Sequence, residues 1–283
     1  MYRPNLLKAR LEAGESVYGA WVGSGAPANA EILGHVGFDF LVIDQEHGAG
    51  EMADAVAALR AVEASGTPCV VRAPWNDPIW LKRILDAGAE SVMIPAVETA
   101  AAAEAAVRAC RYPPQGTRGY AAGVVRASTF GLEPGYTQKA NQNLLVVAQI
   151  ESAAAVEQAA EICAVEGVDV VFIGVNDLAG SIGRLEQLDH PEVRGLVRRA
   201  EEVILASGKP MGTVPSAGAS WQELFARGHR LVVGPHDVIL LREAARAAVR
   251  EHASFRAASG LGAPARAAGG SESPEALTPT RSY

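Results

Sequence analysis

Eight short apolar runs punctuate the chain. They are "GAWVG" (19–23), "FLVID" (40–44), "PCVVRA" (68–73), "SVMIPA" (91–96), "LLVVAQIE" (144–151), "DVVFIG" (169–174), "PMGTV" (210–214) and "RLVVG" (230–234). Within each run successive positions are apolar, instead of alternating with polar ones. That pattern predicts strands buried on both faces, the mark of a parallel sheet covered by helices. Between the runs lie segments with helical spacing, such as "ADAVAALRAVEAS", "TAAAAEAAVRACR" and "PEVRGLVRRAEEVILASG". Strand and helix alternate through about 250 residues, so the expected fold is α/β, a (β/α)8 TIM barrel over residues 1–256. A doubly wound sheet is the alternative. No glycine-rich GxGxxG follows the first run, which speaks against a dinucleotide-binding fold.

Two segments break the pattern. Residues 111–142, "RYPPQGTRGYAAGVVRASTFGLEPGYTQKANQ", carry no clear period, and a loop of that length inside a compact domain points to function. Its Tyr112, Arg118, Tyr120, Arg126, Phe130 and Tyr136 predict an ordered loop. Residues 257–283 are rich in Ala, Gly, Ser and Pro and read as a disordered tail.

The 283 residues are 49% hydrophobic and 20% charged, ample for a large core. A net charge of −7 leaves no basic footprint for nucleic acid or anionic membrane. The N-terminal stretch lacks the apolar run of a signal peptide, and no segment reaches the ~18 apolar residues of a membrane span. Cys69, Cys110 and Cys163 are widely spaced among apolar neighbours, which predicts reduced core thiols in a cytoplasmic protein and no zinc site.

In a (β/α)8 barrel the reactive groups come from the C-terminal ends of the strands. Those ends carry Trp21 and Ser24, Asp44 to His47, Arg72, Pro95, Gln149 and Glu151, Asn176 and Asp177, Thr213 to Ser216, and His236 with Asp237. Glu151 and Asp177 stand on adjacent strands and, with Gln149 nearby, make an oxygen site for a hard divalent cation. Read blandly, they cap the helices that follow. Arg72 would be desolvated, so it must pair with an anion: either Asp44 or Glu151, or the developing oxyanion of a substrate. His47 suits a general base, or else an ordinary loop hydrogen bond. His236 is a weaker candidate, and Asp237 reads as the N-cap of the last helix. Glu46 reads as an outward or structural carboxylate.

The lysines decide between two kinds of carbanion chemistry. Lys8, Lys82, Lys139 and Lys209 are the only four, and none falls at a strand's C-terminal end. A Schiff-base aldolase needs a desolvated lysine there, so enolate chemistry in this chain would use a metal.

The blocks "GFDFLVIDQEHG", "VVRAPWNDP", "LDAGAESVMIPAVETAAAAEAAVRACRYPPQGTRGYA", "VVAQIES" and "EGVDVVFIGVNDLAGSIG" resemble the HpcH/HpaI aldolase family over residues 5 to 255. The resemblance implies a metal-dependent class II aldolase cleaving a 4-hydroxy-2-oxo acid to pyruvate and an aldehyde. It implies that Glu151 and Asp177 hold Mg²⁺, Mn²⁺ or Co²⁺, that Arg72 stabilises the pyruvate enolate and that His47 moves the proton. Asp44 would order water at the metal, Gln149, Trp21 and Asn176 would line the substrate site, and Asp86 would reach the histidine of a neighbouring subunit. A homo-oligomer, trimer or hexamer, with the last helix exchanged between protomers is also implied. "GVNDL" departs from the family's Gly-Pro-Ala/Ser-Asp-Leu, Gln45 replaces a small residue, and "GTVPSAG" and "GPHD" are distinctive. These departures bear on the acceptor, which the 111–142 loop and the strand 7 and 8 loops are expected to select. Two other readings stay open: a lyase of the citrate-lyase-β type acting on an acyl-CoA, and a non-catalytic metabolite-binding barrel.

Overall fold

The computed structural model describes residues 2–216 and 218–259. Eight parallel strands close into a barrel in chain order. They are β1 (Val17–Val22), β2 (Phe40–Asp44), β3 (Cys69–Arg72), β4 (Ser91–Ile94), β5 (Leu145–Ile150), β6 (Val170–Ile173), β7 (Met211–Thr213) and β8 (Leu231–His236). Each coincides with one of the apolar runs. The doubly wound alternative is excluded by closure of β1 on β8.

Continuous hydrophobicity in the strands follows from burial on both sides. Val17, Trp21, Phe40, Val42, Val70, Met93, Val147 and Phe172 point inward and pack together. Their neighbours Ala20, Val22, Leu41, Ile43, Val71, Val92 and Ile94 point outward into the helical layer. Burying a Leu, Ile or Val contributes roughly 1.5–3 kcal/mol, so the two concentric layers supply the main stabilisation. The helix Leu6–Glu12 closes the bottom by adding Leu7 and Leu11 to the inner cluster. Asn5 fastens it there through the carbonyls of Glu90 and Asn143, at the starts of β4 and β5.

The 111–142 segment is ordered, as expected, but it does not border its own chain's mouth. It joins the helix Ala100–Cys110 to the start of β5, at the N-terminal face of the barrel. There it contains a 3-10 turn, Arg126–Ser128, and feeds the helix Tyr136–Asn143. Buried Arg126 donates to Ala87 O, and Arg118 to Asp86, so the segment wraps the end of the helix Pro78–Asp86.

The last helix, Asp237–Ala258, behaves unlike the others. Of its 22 residues only Asp237 is buried. Val238, Leu241, Val249 and Phe255 are about half to two-thirds exposed. Trp221, Ile32 and Val36, on the helices flanking β8 and β1, are exposed as well. The expected tail begins within this helix at 257; beyond Ser259 it lies outside the described residues. Cys69, Cys110 and Cys163 are buried and unpaired, as expected. No helix among the described residues is long and apolar enough to cross a membrane.

Candidate active site

The register of neighbouring strands builds the mouth of the barrel. Asp44, the last residue of β2, stands opposite Arg72, the last of β3. Arg72 Nε and Nη2 donate to the two oxygens of Asp44 at 2.8 and 2.7 Å, a bidentate pair. Burial pushes the Asp44 carboxyl up, but Arg72 and the N–H groups of Glu46 and His47 outweigh it and hold the group below its ordinary value. Of the two partners expected for Arg72, Asp44 is the one realised. The guanidinium also lies over the Trp21 ring at 4.4 Å, and Trp21 meets Phe172 edge-on. The Trp21 Nε1–H is buried without a partner among the described residues.

Of the two readings of Glu46, an outward or a structural carboxylate, the outward one fails. Its Oε2 is 3.1 Å from Arg72 Nη1 and its side chain is only 14% exposed. Strand β2 ends at Asp44, and the turn that follows brings the residue two positions on back over the arginine. Burial, assisted by the charges of Glu151, Asp44 and Asp177 and opposed by Arg72, pushes Glu46 up to about 7. That value lies above the ordinary 4.5, so the folded protein keeps a proton the unfolded chain releases between about pH 4.5 and 7. The contribution of Glu46 to stability is thus full below pH 4.5 and lost as pH rises through 7. Urea unfolding of the metal-free protein from pH 5 to 8 should show wild type losing on the order of 3 kcal/mol relative to Glu46→Gln. Parallel profiles for the two proteins would refute this assignment.

Across the mouth, Glu151 follows β5 and is buried. It caps nothing: Ser152 accepts the cap hydrogen bond of the next helix. Glu151 Oε1 instead accepts from Ala96 N at 2.6 Å, and Gln149 Nε2 donates to Oε2. Ala96 reaches it through a left-handed backbone, φ 53°, which costs an L-residue energy and so marks a position fixed by its surroundings. Position 174 must be glycine, because a Cβ there would lie 2.9 Å from both Cβ and Oε2 of Glu151. Asp177 lies in the first turn of Val175–Ser181, whose N-cap is Gly174, and its exposed carboxylate accepts no hydrogen bond from the described residues. Asn176 is half-buried beside it.

This half of the mouth carries unmet negative charge. Burial raises Glu151 above its ordinary value, and the charge of Asp177 adds to the effect. Gln149 Oε1 is buried without a partner. Two carboxylates and an amide oxygen fit a hard divalent cation that keeps several of its own waters. Among the described residues no set of three or more His, Cys, Asp or Glu forms a fuller cage.

His47 stands at the rim, its side chain 64% exposed and Nε2 3.9 Å from Glu46 Oε1. Asp86 is not brought to it. Asp86 ends the helix Pro78–Asp86 at the opposite face of the barrel, paired with Arg118 Nη2 at 2.7 Å. Arg118 in turn stacks on Tyr112 at 4.4 Å. All four lysines stay away from the mouth: Lys8 and Lys209 bind backbone carbonyls of Leu144 and Val168 near the bottom, Lys82 is on Pro78–Asp86 and Lys139 on Tyr136–Asn143.

The N-cap of the last helix falls one residue before the expected Asp237. His236 occupies the N-cap position of the final helix, and Val238 N–H, 3.3 Å from His236 Nδ1, donates to Asp237 Oδ1 at 2.8 Å. Asp237 is buried and accepts from Gly23 N, Ser24 Oγ and Asn29 Nδ2, tying β8 to the end of β1. Burial pushes its carboxyl up, yet His236, Ser24, Asn29 and Gly23 together hold it well below the usual range.

The closed (β/α)8 barrel thus sets an arginine–aspartate pair across its mouth from two acidic oxygen donors, with no lysine at the strand ends. Residues 17–244 match the HpcH/HpaI aldolase/citrate lyase family, and the chain belongs to it. It is 39% identical over 241 residues to a hydroxypyruvate/pyruvate aldolase of Delftia acidovorans, covering 85% of this chain and 90% of that one. Against a 4-hydroxy-2-oxo-heptane-1,7-dioate aldolase of Escherichia coli the identity is 38% over 243 residues, 86% of this chain and 93% of the relative. The crystal structure of an HpcH/HpaI aldolase/citrate lyase family protein from Burkholderia cenocepacia J2315 superposes with a TM-score of 0.83 at 39% identity. That match covers 87% of this chain and 98% of the other.

Proposed function

We propose that the protein is a divalent-metal-dependent aldolase that cleaves a 4-hydroxy-2-oxo acid to pyruvate and an aldehyde, and catalyses the reverse addition. The observation that carries this reading is the opposition of Glu151, Asp177 and the orphan Gln149 oxygen to Arg72 across one mouth. Glu151 and Asp177 would hold Mg²⁺, Mn²⁺ or Co²⁺, which when bound polarises a keto oxygen and offsets enolate charge. Arg72, locked by Asp44, presents its remaining N–H groups to the pyruvate oxygens, where negative charge grows as the carbon–carbon bond breaks. Trp21 and Phe172 form an apolar floor that limits water around that charge. His47 takes the proton from the 4-hydroxyl during cleavage and, through water, returns it to the methylene carbon of the enolate to give pyruvate; addition runs the two transfers in reverse. Asp86 supports a role toward His47 only from another copy of the chain, because its own barrel separates the two.

The test is exchange of the pyruvate methyl protons with deuterated water, followed by NMR. Exchange is expected with added Mg²⁺, Mn²⁺ or Co²⁺, stopping on chelation and returning when metal is restored. Absence of exchange with all three metals would overturn the proposal. Metal and pyruvate binding without exchange would favour the non-catalytic barrel.

A further inference from the structure

Pyruvate bound as proposed occupies the β2, β3, β5 and β6 side of the mouth. The aldehyde must then approach the enolate carbon from the β7, β8 and β1 side. Trp21 and Val214 make that side apolar, both belonging to the inner cluster. One polar group interrupts it. A register shift in the pairing of β1 with β8 sets His236 opposite Trp21, the residue that carries Arg72 on its ring. His236 Nδ1 lies 3.0 Å from Asp237 Oδ1 and 3.3 Å from Val238 N, so the ring is held from that edge. Asp237 is itself held by Ser24, Asn29 and Gly23 N, which fixes the anchor. Nε2 has no partner among the described residues, and the side chain is 24% exposed. Nε2 stands where a side chain at position 23 would be: a Cβ on Gly23 would meet it at 2.5 Å. Gly48 Cα, next to His47, lies 3.7 Å from that same point.

We infer that His236 is a specificity-determining residue whose Nε2 hydrogen-bonds a hydroxyl on the acceptor aldehyde, at the carbon next to its carbonyl. A hydroxyl both donates and accepts, so it suits Nε2 in either tautomer of the ring. A site built to bind a hydroxyl rejects the analogue lacking it more strongly than an apolar wall does. The inference rests on the aldolase reading.

The experiment compares kcat/KM for glycolaldehyde and propionaldehyde, acceptors of equal size, in addition to pyruvate. Their ratio cancels any loss of folded enzyme. His236→Asn keeps a good cap for the last helix but withdraws Nε2. Gly23→Ala pushes the ring aside and leaves its chemistry intact. The unsubstituted enzyme should favour glycolaldehyde, and the ratio should fall about tenfold in both variants. A ratio within twofold of the unsubstituted value in His236→Asn overturns the inference, whatever Gly23→Ala does. An unsubstituted enzyme that favours propionaldehyde also overturns it. Absence of pyruvate proton exchange in the unsubstituted protein overturns the aldolase reading, and the inference with it.

Discussion

Glu151→Gln and Asp177→Asn should each lower metal-dependent exchange of the pyruvate methyl protons by about a thousandfold. Both changes keep side-chain size and remove one negative charge from the acidic half of the mouth, where burial and Asp177 raise Glu151. They differ in what else they disturb. Gln at 151 can still accept from Ala96 N but sets an amide N–H₂ against Gln149 Nε2. Asp177 accepts no hydrogen bond from the described residues, so its asparagine variant is the cleaner removal of charge. Calorimetric titration with Mn²⁺ supplies a readout independent of turnover: affinity should fall in step with exchange. Metal-free Glu151→Gln should also be more stable than wild type at pH 8, because it relieves repulsion that raises Glu46 and Glu151 alike. Exchange and Mn²⁺ affinity at wild-type levels in either variant would remove that residue from the metal site.

The second large effect concerns the helix Asp237–Ala258. Val238, Leu241, Ala245, Ala248 and Phe255 recur at spacings that place them along one stripe. Among the described residues nothing covers that stripe, and Trp221 and Ile32, on the helices flanking β8 and β1, are exposed too. Apolar surfaces left exposed in one chain can be buried between chains. A fully buried Leu, Val or Phe contributes about 1.5–3 kcal/mol, so several together support a lasting assembly. The wild-type protein should run as an oligomer by light scattering, and Val238→Glu combined with Leu241→Glu should reduce it to a monomer. A monomeric wild type would show that the helix stays uncovered. An oligomer unaffected by the double variant would place the interface elsewhere.

The eight strands were legible because each is buried on two faces, leaving runs too apolar for any surface element. The charged strand ends were legible for the opposite reason: Asp44, Arg72 and Glu151 interrupt such runs where polarity has no structural excuse. What sequence could not give was direction. Glu46 reads as a loop carboxylate, and only the turn after β2 brings it over Arg72. Ala96 contributes a backbone N–H, which no side-chain pattern announces. The segment 111–142 looked functional by length and composition, but which face of the barrel it covers depends on its place between helix and strand. Asp237 reads as the N-cap but stands one residue past it and anchors β8 to β1, because a shift of one residue at a strand end lies below what propensity resolves.

The unequal wiring of the mouth bears on how such a protein could diversify. Asp44, Glu46, Arg72, Gln149 and Glu151 form a mutually dependent electrostatic set, in which changing one residue strands the charge of another. Val214, on the opposite arc, interacts through apolar contact, where a change of size leaves no charge unpaired, whereas Trp21 belongs with the charged set because it carries Arg72 on its ring. Mutation can therefore wander along one arc of the ring while the other stays frozen. A lineage could acquire new aldehydes by single steps and keep the carbanion chemistry throughout, which makes this barrel a favourable starting point for laboratory evolution of carbon–carbon bond formation.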